Sequence, residues 1–230
     1  MKHKLFKKAK FISFALSAII SSLILSNEIF AYGTTAVLVG VNASGHDHTS
    51  ALSAVKQTYV VDCGMTGELH TGSFTLYDID GLISFSDNSV FISRSHGSVE
   101  YNTSLGIQIG TSILINESSN AQYKSSELLS IMDLSNLKLA MFIGCKTASG
   151  GNGAAHLPAA VVNKGAATSV GFKDNINCDT ANAWTIDFFR YMAKARSVNN
   201  VCSYLATLSS YSSGGLDSYY ISGLKTTTLR

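Results

Sequence analysis

Runs of apolar, largely β-branched residues recur along this chain at Thr35–Val41, Val90–Ser93, Leu137–Ile143 and Thr168–Phe172, with segments of helical period between them. A strand apolar at consecutive positions has both faces buried, and the sheet that buries both faces is a parallel one covered by helices on each side. The pattern therefore predicts an α/β fold, a three-layer sandwich with a mostly parallel central sheet flanked by helices. Shorter signals complete the expected order. They place helices near His48–Gln57, Ser73–Leu82, Ser125–Met132, Thr180–Ala195 and Val198–Leu208, and one at Leu157–Asn163 closed by Gly165. Further strands are predicted at Tyr59–Val61 and Tyr219–Ile221, a hairpin-like pair at Gly106–Ile109 and Ser112–Ile115, and loops at Ser149–Gly153 and Ser209–Gly215.

With 230 residues, 46% hydrophobic and 14% charged, the chain has material for one core and too little length for two ordinary domains. Its first stretch stands apart. Lys2, Lys4, Lys7, Lys8 and Lys10 precede a charge-free apolar run from Phe11 to Leu25, followed by polar Ser26, Asn27 and Glu28. A run of that length suits a secretory signal and falls short of the roughly 20 residues that a helix needs to cross a bilayer. Residues 1–31 are thus expected to be a signal peptide cut after Ala31, leaving a secreted domain over 32–230. Without that segment 12 basic residues face 14 acidic ones, a net charge of −2 against +2 for the whole chain. No Lys/Arg cluster remains, which argues against nucleic acid or a membrane surface as partner and favours a peptide or small molecule.

In an open parallel sheet the ligand crevice lies beyond the carboxyl ends of the strands. Two strand ends carry reactive side chains: Ser-Val-Phe-Ile-Ser-Arg-Ser-His96-Gly97, and Leu-Ala-Met-Phe-Ile-Gly144-Cys145-Lys-Thr-Ala. Activating a thiol near neutral pH needs a nearby imidazole, and two ends of one rigid sheet can hold sulfur and nitrogen together. The two residues are 49 apart, close to the spacing of caspases. Cys145 is the expected nucleophile and His96 its base. The backbone N–H groups of Gly97 and Cys145 are the expected oxyanion hole. Cys63, Cys178 and Cys202 form no C-x-x-C pair; outside the cell one bridge among them is permitted, and burial as small apolar residues is the other reading.

An apolar strand ending in His-Gly, followed by another ending in Cys, resembles the caspase-like (clan CD) cysteine peptidases. Within them, Ile143-Gly144-Cys145-Lys146-Thr147-Ala148 with Gly150 is similar to the Cys-Glu-Thr-Gly segment of the CHAT and separase branch. Asn163–Val170 resembles its Ala-Gly-Ala-x-x-Val-Val strand entry, and Asp179 through Phe189 its next helix. Lys146 departs from the usual Glu or Ser after the cysteine, and the Trp-Pro loop is missing between Phe172 and Asp179. The resemblance implies an endopeptidase acting on polypeptides. It also implies a pocket acid at Asp179, with Asp174 as neighbour, and so cleavage after Arg or Lys. A pocket lined by Lys173 instead would favour acidic residues.

Other residues have plainer readings. Asp47, Asp62 and Asp80 read as solvated acids, with Asp179 a helix cap if it is not a pocket floor. His46, Asp47, His48 and His70 follow no ligand spacing, so no metal and no cofactor are assigned. Gly40–Gly45 lacks a phosphate-loop pattern, and no G-x-S-x-G elbow occurs. A caspase-fold binding module without activity and a doubly wound ligand-binding protein are the alternatives to a peptidase.

Overall fold

The computed structural model describes residues 33–85, 87–128, 130, 133–150 and 155–230. The expected signal peptide and the cut after Ala31 lie outside them. So do residues 129, 131 and 132 of the helix predicted over Ser125–Met132, and residues 151–153 of the loop predicted over Ser149–Gly153.

The central sheet has six strands in the order β2-β1-β3-β7-β8-β9. They are β1 Thr35–Gly40, β2 Thr66–Thr71, β3 Asn88–Arg94, β7 Leu139–Ile143, β8 Thr168–Phe172 and β9 Tyr219–Gly223. All neighbours are parallel except the last pair, β8 with β9. The apolar runs have the predicted cause. Leu38, Ile92, Met141 and Val170 point into one core with Trp184, Phe188 and Phe189, while Val37, Val39, Phe91 and Phe142 point into another with Leu157 and Val161. Residues of alternate parity thus fill two cores, one on each face.

The first core is closed by α5, Cys178–Met192, and α6, Val198–Ala206. The second is closed by α2, Leu76–Ile83, and α4, Leu157–Asn163. The starts of α2, α4 and α5 carry caps that the sequence encodes. Thr75 and Asp78 form a reciprocal capping box on α2, His156 Nδ1 accepts from Ala159 N at 3.2 Å on α4, and Asn177 Oδ1 accepts from Thr180 N at 2.9 Å on α5. Gly165, at φ +110°, follows α4 in the left-handed conformation that ends helices.

Part of the loop expected over Ser209–Gly215 is a single helical turn, Ser209–Ser212. Three further expectations fail, each for a physical reason. Tyr59–Val61 is not a strand. The short α1, Ser50–Ala54, runs into a π-helical stretch Val55–Val60, which buries Val55 and Val60 five residues apart. The strand of this region is β2, an edge strand with no fully buried residue, so no apolar run marks it. The hairpin-like pair is one strand, β5 Ile107–Asn116, lying between β4 Gly97–Asn102 and β6 Ala121–Lys124 in a separate antiparallel sheet. Gly110 is no turn: a Cβ there would lie 2.6 Å from Ser125 Oγ, so this glycine allows α3, Ser125–Leu128, to approach the strand. Finally, Asp179 does not cap α5. Asn177 does, and Asp179 lies in the first turn.

Candidate active site

Strands β3 and β7 are adjacent and parallel, and their last paired residues are Arg94 and Ile143. His96 and Cys145 therefore each lie two residues beyond the same rung of the ladder. Neither strand end could approach the other if it carried side chains. A Cβ on Gly97 would stand 2.2 Å from the Cys145 carbonyl oxygen, and one on Gly144 2.6 Å from that of Ser95. The glycines of His-Gly and Gly-Cys are what let the two turns pack against each other.

The Cys145 turn is locked by Thr147, whose hydroxyl lies 2.7 Å from the Phe142 carbonyl and 3.2 Å from that of Gly144. The same oxygen accepts from Phe172 N at 3.1 Å, tying the turn to β8. Lys146 takes φ +57°, a left-handed conformation that costs a side-chain-bearing residue about 1–2 kcal/mol. Its N–H donates to the Asp174 carbonyl at 3.0 Å. The kink turns the chain sharply just past Cys145.

Leu114 N donates to the His96 carbonyl at 2.7 Å, which makes those opposite residues a hydrogen-bonded pair of the β4–β5 ladder. Bonding alternates along an antiparallel ladder, so the next pair, Gly97 with Ile113, is a non-bonded one. The Gly97 N–H consequently points away from β5, as an oxyanion donor must.

One cleft is lined by His46, His48, Arg94, His96, Cys145 and Cys178. The structure thus brings His96 and Cys145 together without a hydrogen bond between them. Cys145 Sγ instead faces the peptide groups of Ile176, accepting from its N–H at 3.4 Å and donating to its carbonyl at 3.6 Å. His96 Nε2 is buried with no partner among the described residues.

Arg94 is buried at 1% exposure and has no salt bridge among the described residues. It donates to the Ile143 carbonyl at 3.1 Å, the Cys178 carbonyl at 2.8 Å and Asn182 Oδ1 at 3.3 Å. This residue holds the end of β7 and the start of α5 to β3. Burial, above all, pulls its pKa down from the usual value.

His46 and His48, given no role from the sequence, belong to the cleft. His48 is 1% exposed, and its ring centre lies 5.3 Å from that of His96; His46 is exposed, with its centre 6.0 Å from His96. Burial first, then the Arg94 charge, lowers the His48 pKa to about 3. His48 Nδ1 lies 3.4 Å from Cys178 Sγ, but an imidazole of such low basicity is a poor acceptor for that thiol's proton. Burial also pushes the Cys178 thiol up, with Arg94 opposing it.

Asp174 and Asp179, the acids that the resemblance places at the pocket, are both exposed. They lie on different sides. Asp174 lines a hollow with Ala148, Ser149, Gly150, His156, Lys173 and Tyr220, whereas Asp179 lies with His46 and Cys178. His70 pairs with Glu68 at 3.5 Å, and Asp80 accepts from buried Tyr123 at 2.6 Å. All four cysteines are free. Arg94 and Cys178 were missed by sequence reasoning, and only the position of Arg94 two residues before the His could have signalled it.

No family model matches the chain, and no curated protein matches it in sequence. Solved structures do match in shape. Two crystal structures of the Saccharomyces cerevisiae separase–securin complex superpose with TM-scores of 0.53 at 12% identity, over 83% and 84% of this chain and 12% of that one. The Arg-specific cysteine proteinase gingipain R superposes with a TM-score of 0.56 at 10% identity, over 87% of this chain and 50% of that one. The fold is caspase-like. This chain spans about an eighth of the separase chain and half of the gingipain chain, and at these identities the likeness is one of fold. As expected from the sequence, the caspase-like framework is a mostly parallel six-stranded sheet flanked by helices.

Proposed function

We propose that this protein is a secreted cysteine endopeptidase in which Cys145 attacks the scissile carbonyl and His96 takes the thiol proton. What carries the reading is the register of β3 with β7, which sets His96 and Cys145 at equivalent positions past Arg94 and Ile143, in one cleft. The thiol would leave the Ile176 peptide groups, and its proton would pass to His96 and then to the leaving amine. The N–H groups of Gly97 and Cys145 would receive the oxyanion.

For specificity we favour a basic residue before the cut, held by Asp174. Its backbone is bonded to Lys146, next to the nucleophile, and its side chain lines the hollow beside Ser149 and Gly150. Asp179 stands on the flank of His46 and Cys178.

Irreversible peptide electrophiles with Arg, Lys or Asp before the warhead test both claims. The Arg and Lys reagents should label Cys145, and Asp174→Asn should lower kcat/KM for Arg substrates by one to two decades, from the roughly 1.5–3 kcal/mol of a hydrogen bond to a charged group. Cys145→Ala and His96→Ala should each abolish hydrolysis while the circular dichroism stays unchanged. Labelling of Cys178 in place of Cys145 would move the nucleophile. A folded protein with no turnover and no labelled cysteine would leave a caspase-fold binding module.

A further inference from the structure

The flank of the cleft beyond His96 holds a set of donors that peptide hydrolysis does not use. A nitrogen of His46, the sulfur of Cys178 and a carboxylate oxygen of Asp179 all lie within 4.8 Å of one another. The donors come from two places far apart in sequence, the loop after β1 and the first turn of α5, so helix periodicity alone did not bring them together.

A second observation points to a ligand at the same place. His48 is 1% exposed and aims Nδ1 at the Cys178 sulfur from 3.4 Å, while its Nε2 has no partner among the described residues. Nitrogen and sulfur ligands of one tetrahedral zinc, with bonds of about 2.0–2.1 and 2.3 Å, stand about 3.5 Å apart. The His48–Cys178 pair already has nearly that separation.

We propose that His46, Cys178 and Asp179, with His48 beside them, bind one divalent transition-metal ion of the zinc type. A thiolate and a carboxylate neutralise a divalent cation and the imidazoles add neutral donors, against which stands the one positive charge of Arg94 beside the sulfur. The mixture of sulfur, nitrogen and oxygen suits zinc, cobalt or nickel and not the hard, all-oxygen preference of calcium or magnesium. Drawing donors now within 4.8 Å of one another to tetrahedral separation needs movements of about 1 Å, and His46 and Asp179 are exposed and free to make them. Arg94 donates to the same sulfur at 3.4 Å, an outer hydrogen bond that favours the ligating thiolate. Binding releases the thiol proton to solvent as the metal–sulfur bond forms. The ion would sit beside His96 in the cleft, so on the peptidase reading it would inhibit; the site itself stands without that reading.

Cobalt(II) is the probe, because thiolate ligation gives it a charge-transfer absorption and tetrahedral geometry gives it intense visible bands. Titrated into the reduced, chelator-treated protein, it should bind one equivalent with both signatures, and zinc should displace it. Cys178→Ser should remove the charge-transfer band. His46→Ala and Asp179→Asn should each weaken binding by more than the roughly tenfold lost with an outer-shell partner. Cys145→Ala should bind as the unaltered protein does. Asp179→Asn changes an exposed side chain, so it keeps the test decisive if Cys178→Ser does not fold. Absence of the thiolate band in the unaltered protein, its survival in Cys178→Ser, or its loss in Cys145→Ala would overturn the proposal. Each readout is independent of hydrolysis, so failure of the metal site and failure of the peptidase reading are told apart.

Discussion

Replacing Gly97 with Ala tests the packing that joins the two strand ends. The added Cβ would stand 2.2 Å from the Cys145 carbonyl oxygen and 2.7 Å from Thr147 Cγ2. Optimal contact between non-bonded heavy atoms is about 3.5 Å or more, so the Cys145 turn must retreat by about 1 Å. That turn has little freedom, because Thr147 ties it to Phe142, Gly144 and Phe172. Overpacking a rigid site costs about 2–3 kcal/mol, toward the upper end of the usual range. At about 2–4 °C per kcal/mol for a chain of this size, Tm should fall by about 4–12 °C. On the peptidase reading, a displacement of about 1 Å at the Cys145 thiol should also lower kcat/KM by about a hundredfold, more than instability alone explains at a temperature where the variant is folded. Gly81, inside α2 and exposed with nothing within 4 Å of its would-be Cβ, is the control. Gly81→Ala should raise stability by about 0.5–1 kcal/mol, since glycine is a poor helix interior. Differential scanning calorimetry and peptide hydrolysis read both. If Gly97→Ala keeps its Tm within a degree and its turnover within twofold, the close approach of the two strand ends is wrong.

Lys146→Gly should relieve the left-handed strain at φ +57° and raise stability by about 1 kcal/mol, a gain that urea denaturation would measure; an unchanged or lower midpoint would refute the strain. His156 gives a pH test. Burial first, then Lys173, lowers its pKa, and its unprotonated Nδ1 caps α4. The unfolded chain therefore takes up the proton before the folded one does, so the stability His156 contributes is complete above its ordinary pKa and is lost as pH falls below it. His156→Asn, a cap that does not titrate, should make the loss of stability between about pH 7 and 5 shallower by about 1 kcal/mol; parallel pH profiles would count against the cap.

The sequence made legible whatever depends on continuous burial. β1, β3, β7 and β8 announce themselves because every residue of each is buried, and Thr168–Phe172 was bounded to the residue. The edges were harder for the same reason. β2 presents Thr66, Glu68 and Thr71 to solvent, and β4 has no buried residue, so neither leaves an apolar signature. The His96 and Cys145 strand ends could be read because each follows directly on such a run. The rest of the cleft could not. His46 and His48 look like a polar loop, and Cys178 like a spare thiol, until the packing of α5 brings residues 130 apart to 3.4 Å.

Arg94 shows why the cleft has the form it does. A buried guanidinium with no salt bridge among the described residues is expensive, and an apolar side chain at the end of β3 would make a more stable core. Its donors are instead spent on the carbonyls of Ile143 and Cys178 and on Asn182, so one side chain sets the end of β7 and the start of α5 relative to the His96 turn. The Ile176 peptide that faces the Cys145 thiol lies two residues before Cys178, and so depends on the same anchor. Losing the guanidinium would leave Ile143 and Cys178 carbonyls buried without it and would free α5 to shift, with Ile176 moving on Cys145 and Cys178 moving on His48. The local rule that a strand end inside a core should be apolar is broken where two cysteines and three histidines meet, and a broken rule of that kind is expected where a site, and not the core, decides the residue.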